Sequence, residues 1–128
     1  MAKEKKVTIL TVEDDASMRE LLKKVLEKND YRVLEAKDGK EALALVKNHP
    51  EISLVLSDIR MPKMNGMSLL EKIVDSKSKL KVILITAFGE VEQYLDAMNT
   101  GAFEYLNKPF ENQELLDVVK RALETEKP

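Results

Sequence analysis

The sequence predicts an α/β fold, (βα)5, with five parallel strands in one doubly wound sheet. Three observations support this prediction. Short β-branched and apolar runs alternate with longer segments in which apolar residues recur every three or four positions. Turn-forming residues separate the two kinds of segment. Such an alternation builds a parallel sheet that is covered by helices on both faces, through right-handed crossovers.

The first strand and helix have the clearest signals. Residues 7–12 are β-branched and apolar, as in a buried strand, and the acidic run 13–15 ends them. In the next segment the apolar residues fall on one stripe of a helix, with charged residues on the opposite face. The stripe consists of Met18, Leu21, Leu22, Val25 and Leu26.

The second and third units repeat this order. The second strand covers residues 31–36, and the helix after it is closed by Pro50. The third strand covers residues 52–57, and a loop at 62–66 leads into the third helix. The inward stripes of these two helices are Ala42, Leu43 and Val46, and Leu69, Leu70, Ile73 and Val74.

The last two units complete the alternation. Residues 81–86 form the fourth strand, and a weaker helix after it ends at Gly101. Residues 103–107 form the fifth strand, and the last helix covers residues 112–125, capped by Glu111 or Asn112. The weaker helix carries one stripe that we expect to be partly available to a partner, namely Val91, Tyr94, Leu95 and Met98. The inward residues of the last helix are Leu115, Val118, Val119, Ala122 and Leu123.

Length and composition narrow the classes of function. The 128 residues suit one domain, which we place at residues 6–125 after a short tail at 1–5. We expect residues 126–128 to be a C-terminal tail or the start of a removed linker. A net charge of -2 argues against a nucleic-acid or membrane partner. Without cysteine the chain has no disulfide or thiolate metal site. Without a long apolar run or a signal peptide, we expect a cytoplasmic location.

Polar residues stand at the predicted carboxyl ends of four strands, which is where doubly wound sheets bind ligands. They are Glu13, Asp14, Asp58, Thr86 and Lys108. Three carboxylates in one pocket repel one another unless a cation joins them, and Lys108 supplies one positive charge. Because oxygen ligands favour a hard cation, we expect Mg²⁺, for which Mn²⁺ can substitute.

Four sequence blocks carry a family resemblance. They are Val12-Glu13-Asp14-Asp15, Leu54 to Pro62 with Asn65-Gly66, Ile85-Thr86-Ala87 and Lys108-Pro109-Phe110. In this order they resemble the signature blocks of response-regulator receiver (CheY-like) domains of two-component systems. The resemblance covers about Val7 to Leu123 and implies the flavodoxin-like strand order 2-1-3-4-5.

The resemblance implies a site that is phosphorylated. Asp58 would accept a phosphoryl group from a sensor histidine kinase. Asp14 would be a direct Mg²⁺ ligand, and Glu13 a ligand mostly through water, although aspartate is commoner than glutamate at this position in the family. The Asp58 carboxylate and the backbone carbonyl of Arg60 would complete the ligands. Asp15 would point away from the metal and either cap the following helix or face solvent.

The same resemblance implies how the phosphoryl group is held and how the signal leaves the site. The Thr86 hydroxyl, the Ala87 backbone N–H and the Lys108 ammonium would share its charge, next to a cis Lys108-Pro109 bond. Thr86 and Tyr105 would form the switch and remodel the surface of helix four, strand five and helix five. The target would be a downstream protein or a missing C-terminal output domain, and phosphorylation would also permit a homodimer.

Arg60 and Phe88 occupy the two positions that tune phosphoryl lifetime in the family. Neither side chain can orient an attacking water as a carboxylate or an amide can, and Phe88 is bulky. We therefore expect slow self-dephosphorylation and no other enzyme activity. This pair, with residues 89–92, also resembles receivers attached to sigma-54-dependent activators.

Several other functions fit the sequence less well. A flavodoxin-like electron carrier needs hydroxyls and glycines after the first strand, where this chain has carboxylates. A haloacid-dehalogenase-type phosphatase needs a second acid two residues after the nucleophile, where Arg60 stands, and a Toprim-type enzyme likewise needs paired acids there. The alternative left open is a degenerate receiver that acts as a phosphorylation-independent scaffold.

Overall fold

The computed structural model describes residues 6–59, 65–76, 79–86 and 91–124, without the side chains of residues 91–94. Strands and helices alternate throughout, which confirms the predicted element order. The strands are β1 (Thr8–Val12), β2 (Arg32–Ala36), β3 (Ile52–Asp58), β4 (Lys81–Thr86) and β5 (Glu104–Asn107). The helices are α1 (Ala16–Lys28), α2 (Gly39–Asn48), α3 (Gly66–Asp75), α4 (Val91–Thr100) and α5 (Asn112–Glu124).

The five strands form one parallel sheet in the order β2-β1-β3-β4-β5. The end of β1 pairs with the end of β3, with Val12 opposite Ser57. The next residue of β3, Asp58, lies opposite Ile85 near the end of β4. The carboxyl ends of these strands therefore meet at one edge of the sheet, and the strand order that the resemblance implied is confirmed.

Two hydrophobic clusters cover the two faces of the sheet. One packs α2, α3 and α4 against the sheet, and the other packs α1 and α5 against the opposite face. Along β4, Val82 and Leu84 belong to the first cluster, whereas Ile83 and Ile85 belong to the second. This division follows from the strand pleat, which points successive side chains to opposite faces.

The helices bury narrower stripes than the sequence predicts. Leu21 in α1 and Val74 in α3 are exposed, so their prediction as inward residues was wrong. Leu95 in α4 is also exposed, as expected for a residue of the partly available stripe. Leu21 and Val74 each stand next to a buried residue, about 100° further round the helix, and so lie at the edge of the stripe. Among the α4 side chains that the structure describes, from residue 95 onward, Ala97 is fully buried. None of the helices in the described ranges has the length and the apolar character that crossing a membrane requires.

Side chains and special backbone conformations define the helix ends. The Asp15 carboxylate accepts a hydrogen bond from the Ser17 N–H at the start of α1, which confirms its predicted capping role. Asn65 caps α3 in the same way. After α1 the chain turns at Asp30 with φ 70°, and after α4 it turns at Gly101 with φ 125°.

Candidate functional site

Three carboxylates meet at the carboxyl edge of the sheet. Glu13 follows β1 directly and is buried, whereas Asp14 is exposed. Asp58 is the last residue of β3 and is also buried. One carboxylate oxygen from each residue lies within 4.8 Å of the other two. The structure thus brings together the three acids that the sequence singled out.

The Lys108 ammonium lies between two of these acids. Lys108 follows β5, and its backbone N–H donates to the Thr86 carbonyl at 2.6 Å, which fixes it beside the end of β4. Its Nζ is 3.1 Å from Glu13 Oε1 and 3.6 Å from Asp58 Oδ2. One ammonium cannot balance three ionised carboxylates, so full ionisation of the cluster would leave two negative charges without a counter-charge from Lys108.

Glu13 is held through its backbone as well as its carboxylate. Its N–H donates to the Ala36 carbonyl at 3.0 Å, which extends the pairing of β1 with β2 by one residue. Its Oε2 accepts a hydrogen bond from the Asp15 N–H at 3.2 Å. Its carbonyl accepts one from Nη1 of Arg19, in α1, at 2.8 Å. This contact of Arg19 could not be predicted from the sequence, because a basic residue in a mixed-charge helix carries no signal of a backbone contact.

The surroundings of Glu13 favour its neutral form. Burial raises the pKa of the Glu13 carboxyl from 4.5 to about 7, and repulsion by the Asp58 carboxylate acts in the same direction. The Asp15 N–H and the Lys108 ammonium oppose this rise without cancelling it. A second positive charge at this edge would stabilise the ionised form.

The donor set fits a hard divalent cation. All three side chains offer carboxylate oxygens, which Mg²⁺ and Mn²⁺ prefer, and Mg²⁺ needs only a few protein ligands because it keeps several waters. The single histidine, His49, lies at the end of α2, where it pairs with Glu51 at 3.0 Å. These residues therefore form an oxygen-only candidate metal site.

The predicted switch residues lie on one face of the sheet. Thr86 ends β4 and Tyr105 lies in β5, and both are buried. Tyr105 pairs with Leu84 and belongs to the cluster under α2, α3 and α4. Since side chains alternate along β4, Thr86 points to the same face as Leu84. The Lys108-Pro109 peptide bond is cis, as the resemblance implied. The predictions for Arg60, Ala87 and Phe88 lie outside the described residues.

Gly66 brings α3 directly against the backbone of Asp58. Its N–H donates to the Ile59 carbonyl at 2.8 Å. A Cβ at Gly66 would press on the Asp58 carbonyl oxygen and lie 2.9 Å from Cα of Ile59. The loop before α3 was predicted, but this close approach was not, because it depends on a strand that is distant in space until the chain folds. Glycine allows the start of α3 to support the end of β3.

An open groove of about 700 Å³ runs between β5 and α5, away from the three acids. Its lining includes Tyr105 and side chains of both charges, such as Glu104, Asp117, Lys120 and Arg121. The exposed Leu95 lies on α4, whose contacts with the sheet include β5. These features belong to the predicted output surface of α4, β5 and α5.

Comparison with known sequences finds similarity over most of the chain. Residues 9–120 match the model of the response regulator receiver domain. The chain is 39% identical to the C4-dicarboxylate transport transcriptional regulatory protein DctD of Pseudomonas aeruginosa over 91% of this chain and 25% of that protein. It is 34% identical to the chemotaxis protein CheY of Bacillus subtilis over 90% of this chain and 96% of that protein. The chain thus spans about a quarter of the length of DctD and nearly all of CheY.

The fold is also found among solved structures. One is the CheX-CheY-BeF3-Mg²⁺ complex from Borrelia burgdorferi, which matches with a TM-score of 0.87 and 30% sequence identity. The match covers 92% of this chain and 90% of that chain.

Proposed function

This chain belongs to the response regulator receiver domain family, and we propose that it is a phosphoacceptor switch of a two-component system, with Asp58 as the phosphorylated residue. One observation carries this proposal. The Asp58 carboxylate, at the end of the central strand β3, lies within 4.8 Å of the Glu13 and Asp14 carboxylates and 3.6 Å from the Lys108 ammonium. This arrangement offers a nucleophile together with groups that neutralise a phosphoryl group.

Asp58 is suited to act as the nucleophile because its backbone is held on two sides. The Ser57 hydroxyl donates to the Asp58 carbonyl at 2.9 Å, and Gly66 packs against the same carbonyl. A carboxylate oxygen would attack the phosphorus of a phosphohistidine on a sensor histidine kinase. The P–N bond would break, and its electron pair would stay with the imidazole nitrogen. The product is an aspartyl phosphate.

Glu13, Asp14 and Asp58 would hold Mg²⁺, together with the Arg60 backbone carbonyl that the resemblance implies, and Mn²⁺ could replace it. The bound ion would neutralise negative charge that the phosphoryl oxygens carry. The longer side chain of Glu13 is compatible with a contact through water. Support comes from the carboxylate cluster itself and from the CheY complex of Borrelia burgdorferi, which includes Mg²⁺.

Lys108 would contact the phosphoryl group directly. In the structure its ammonium is closer to Glu13 than to Asp58. Once a cation compensates Glu13, the ammonium can turn toward the oxygens on Asp58 without leaving a buried carboxylate unpaired. The Thr86 hydroxyl and the Ala87 N–H would bind the remaining oxygens, as the resemblance implies.

The output would leave through the surface of α4, β5 and α5. Thr86 and Tyr105 share a face of the sheet, so a movement of one can be accompanied by repacking of the other. The groove between β5 and α5, with the exposed Leu95, would then act on a downstream protein, on an output domain or on a second copy of the chain. The similarity to DctD supports an output domain and the sigma-54-type resemblance. The side chains of Val91 and Tyr94, which were also expected on this surface, lie outside the described residues.

Mass spectrometry after incubation with Mg²⁺ and acetyl phosphate tests the proposal. The wild type should gain the mass of one phosphoryl group, and Asp58→Asn should gain none. Asp15→Asn is a matched control, because it removes a neighbouring acid outside the cluster while asparagine still caps α1. An equal gain in Asp58→Asn would refute the site, and no gain in the wild type would favour the scaffold alternative.

A further inference from the structure

We propose that Arg19 is a positioning residue for the metal-binding loop, in which its guanidinium fixes the peptide unit between Glu13 and Asp14. This inference rests on the proposed Mg²⁺ site, because Glu13 and Asp14 are two of its three carboxylate ligands. Arg19 is assigned no contact with the metal or the phosphoryl group.

The contact has the geometry of a charge-assisted hydrogen bond. Nη1 of Arg19 lies 2.8 Å from the Glu13 carbonyl oxygen in a partly buried position, within the 2.7–2.9 Å typical of a cationic N–H donor. The Glu13 N–H is still held by β2, through the Ala36 carbonyl. The next peptide unit, between Glu13 and Asp14, lies beyond the end of β1. Arg19, in α1, donates the hydrogen bond to the carbonyl of this unit.

Holding this carbonyl orients both acids. The peptide bond is planar, so the Glu13 carbonyl, the Asp14 nitrogen and the two flanking Cα atoms move as one unit. The Glu13 carboxylate is also fixed by Lys108 and by the Asp15 N–H. The Asp14 side chain is exposed, so burial does not direct it toward the cluster. Its direction depends on the backbone that Arg19 holds.

The guanidinium is presented from a rigid support. The Arg19 N–H donates to the Asp15 carbonyl at 2.9 Å, which places Arg19 in the first turn of α1. The helix then packs on the sheet through Leu22, Val25 and Leu26. The planar fork of an arginine loses less side-chain entropy in such a contact than the flexible chain of a lysine. Arg19 and Glu13 therefore close a short loop between β1 and α1 that carries the metal ligands.

Isothermal titration calorimetry with Mg²⁺ alone, on the full chain, measures the effect. Arg19→Ala should weaken Mg²⁺ binding by about tenfold, the lower end of the loss when a residue that orients metal ligands is removed. Arg19→Lys should recover part of the affinity, because it keeps one cationic donor. Lys23→Ala is the matched control, since Lys23 lines a surface groove along α1 together with Arg19, and its Kd should stay within about twofold of wild type.

A second readout separates positioning from general stability. In the metal-free protein, Arg19→Ala should change the NMR shifts of the Asp14 and Asp15 amides and speed up their hydrogen exchange, whereas amides in β4 stay unchanged. An unchanged Mg²⁺ Kd in Arg19→Ala would overturn the inference even if its Tm falls. If Arg19→Ala does not fold, a wild-type Kd in Arg19→Gln, which lacks the charge, would overturn it.

The same titrations distinguish the two proposals. Mg²⁺ binding that is lost in Asp14→Ala but unchanged in Arg19→Ala would overturn only the role of Arg19. A wild type that binds Mg²⁺ no better than Asp14→Ala would overturn the proposed metal site and the role of Arg19 together.

Discussion

Replacing Glu13 by glutamine should stabilise the metal-free protein at alkaline pH. The Glu13 carboxyl is buried beside Asp58, and its pKa is raised from 4.5 to about 7. Glutamine has nearly the same shape but no charge, and its amide oxygen can still accept from the Lys108 ammonium. The change therefore removes the unfavourable buried charge and keeps most of the packing.

The size and the sign follow from linkage between protonation and folding. The folded protein binds the Glu13 proton more tightly than the unfolded chain, so Glu13 contributes stability below pH 4.5. That contribution is lost as the pH rises to about 7. A pKa that moves from 4.5 to about 7 corresponds to about 3 kcal/mol in the free energy of unfolding. The free energy of unfolding of Glu13→Gln should not decrease in this way as the pH rises.

Urea unfolding in EDTA, followed by circular dichroism from pH 4 to pH 8, measures the difference. The two proteins should have similar stability near pH 4. At pH 8 the variant should be more stable by up to about 3 kcal/mol, which shifts the urea midpoint by about 1 M or more. With Mg²⁺ added, the wild type should gain more stability than the variant, because only the carboxylate attracts the ion.

Glu20→Gln is the matched control for the change in net charge, because Glu20 is exposed on α1. Its stability should follow the wild type at every pH. Parallel curves for the wild type and Glu13→Gln in EDTA would refute the reasoning, since they would show that burial and Asp58 do not disfavour the Glu13 charge.

Three further predictions follow from the fold and the site. Gly66→Ala should lower the free energy of unfolding by about 1–3 kcal/mol and slow phosphorylation by acetyl phosphate, because the added Cβ presses on the backbone of Asp58. An unchanged stability in urea unfolding together with an unchanged phosphorylation rate would contradict this. Asp15→Ala should cost about 1 kcal/mol in urea unfolding through loss of the α1 cap, whereas an equally stable variant would argue against that cap. Phe88→Glu should shorten the phosphoryl half-life measured by mass spectrometry, and a half-life equal to wild type would rule out the proposed effect of Phe88.

The sequence predicts the element order well because periodicity reports which side chains are buried. The sequence predicts the first and last residues of each element less well. Tyr31 was predicted as the first residue of the second strand, but its N–H donates to the Leu26 carbonyl and so completes the turn after α1. Asp30, in a left-handed conformation, makes this turn possible. The strand begins one residue later, at Arg32.

The acids of the site could be predicted because each stands at or just after the end of a strand of recognisable pattern. The contacts of Arg19 and Gly66 were not predicted, since both reach backbone atoms, and side-chain patterns do not report where a distant backbone lies. The shorter distance from Lys108 to Glu13 than to Asp58 likewise depends on how the ends of the strands are arranged in space.

The contact between Glu13 and Lys108 also determines when the site is assembled. It joins residues 95 positions apart, and β3 and β4 lie between β1 and β5 in the sheet. The three acids can approach one another once β1 and β3 have paired. The Lys108 ammonium can reach them only when β5 has joined the sheet. During synthesis the acids leave the ribosome well before Lys108. Under the proposed function, a kinase that requires the complete site would therefore act only on chains in which β5 has joined the sheet.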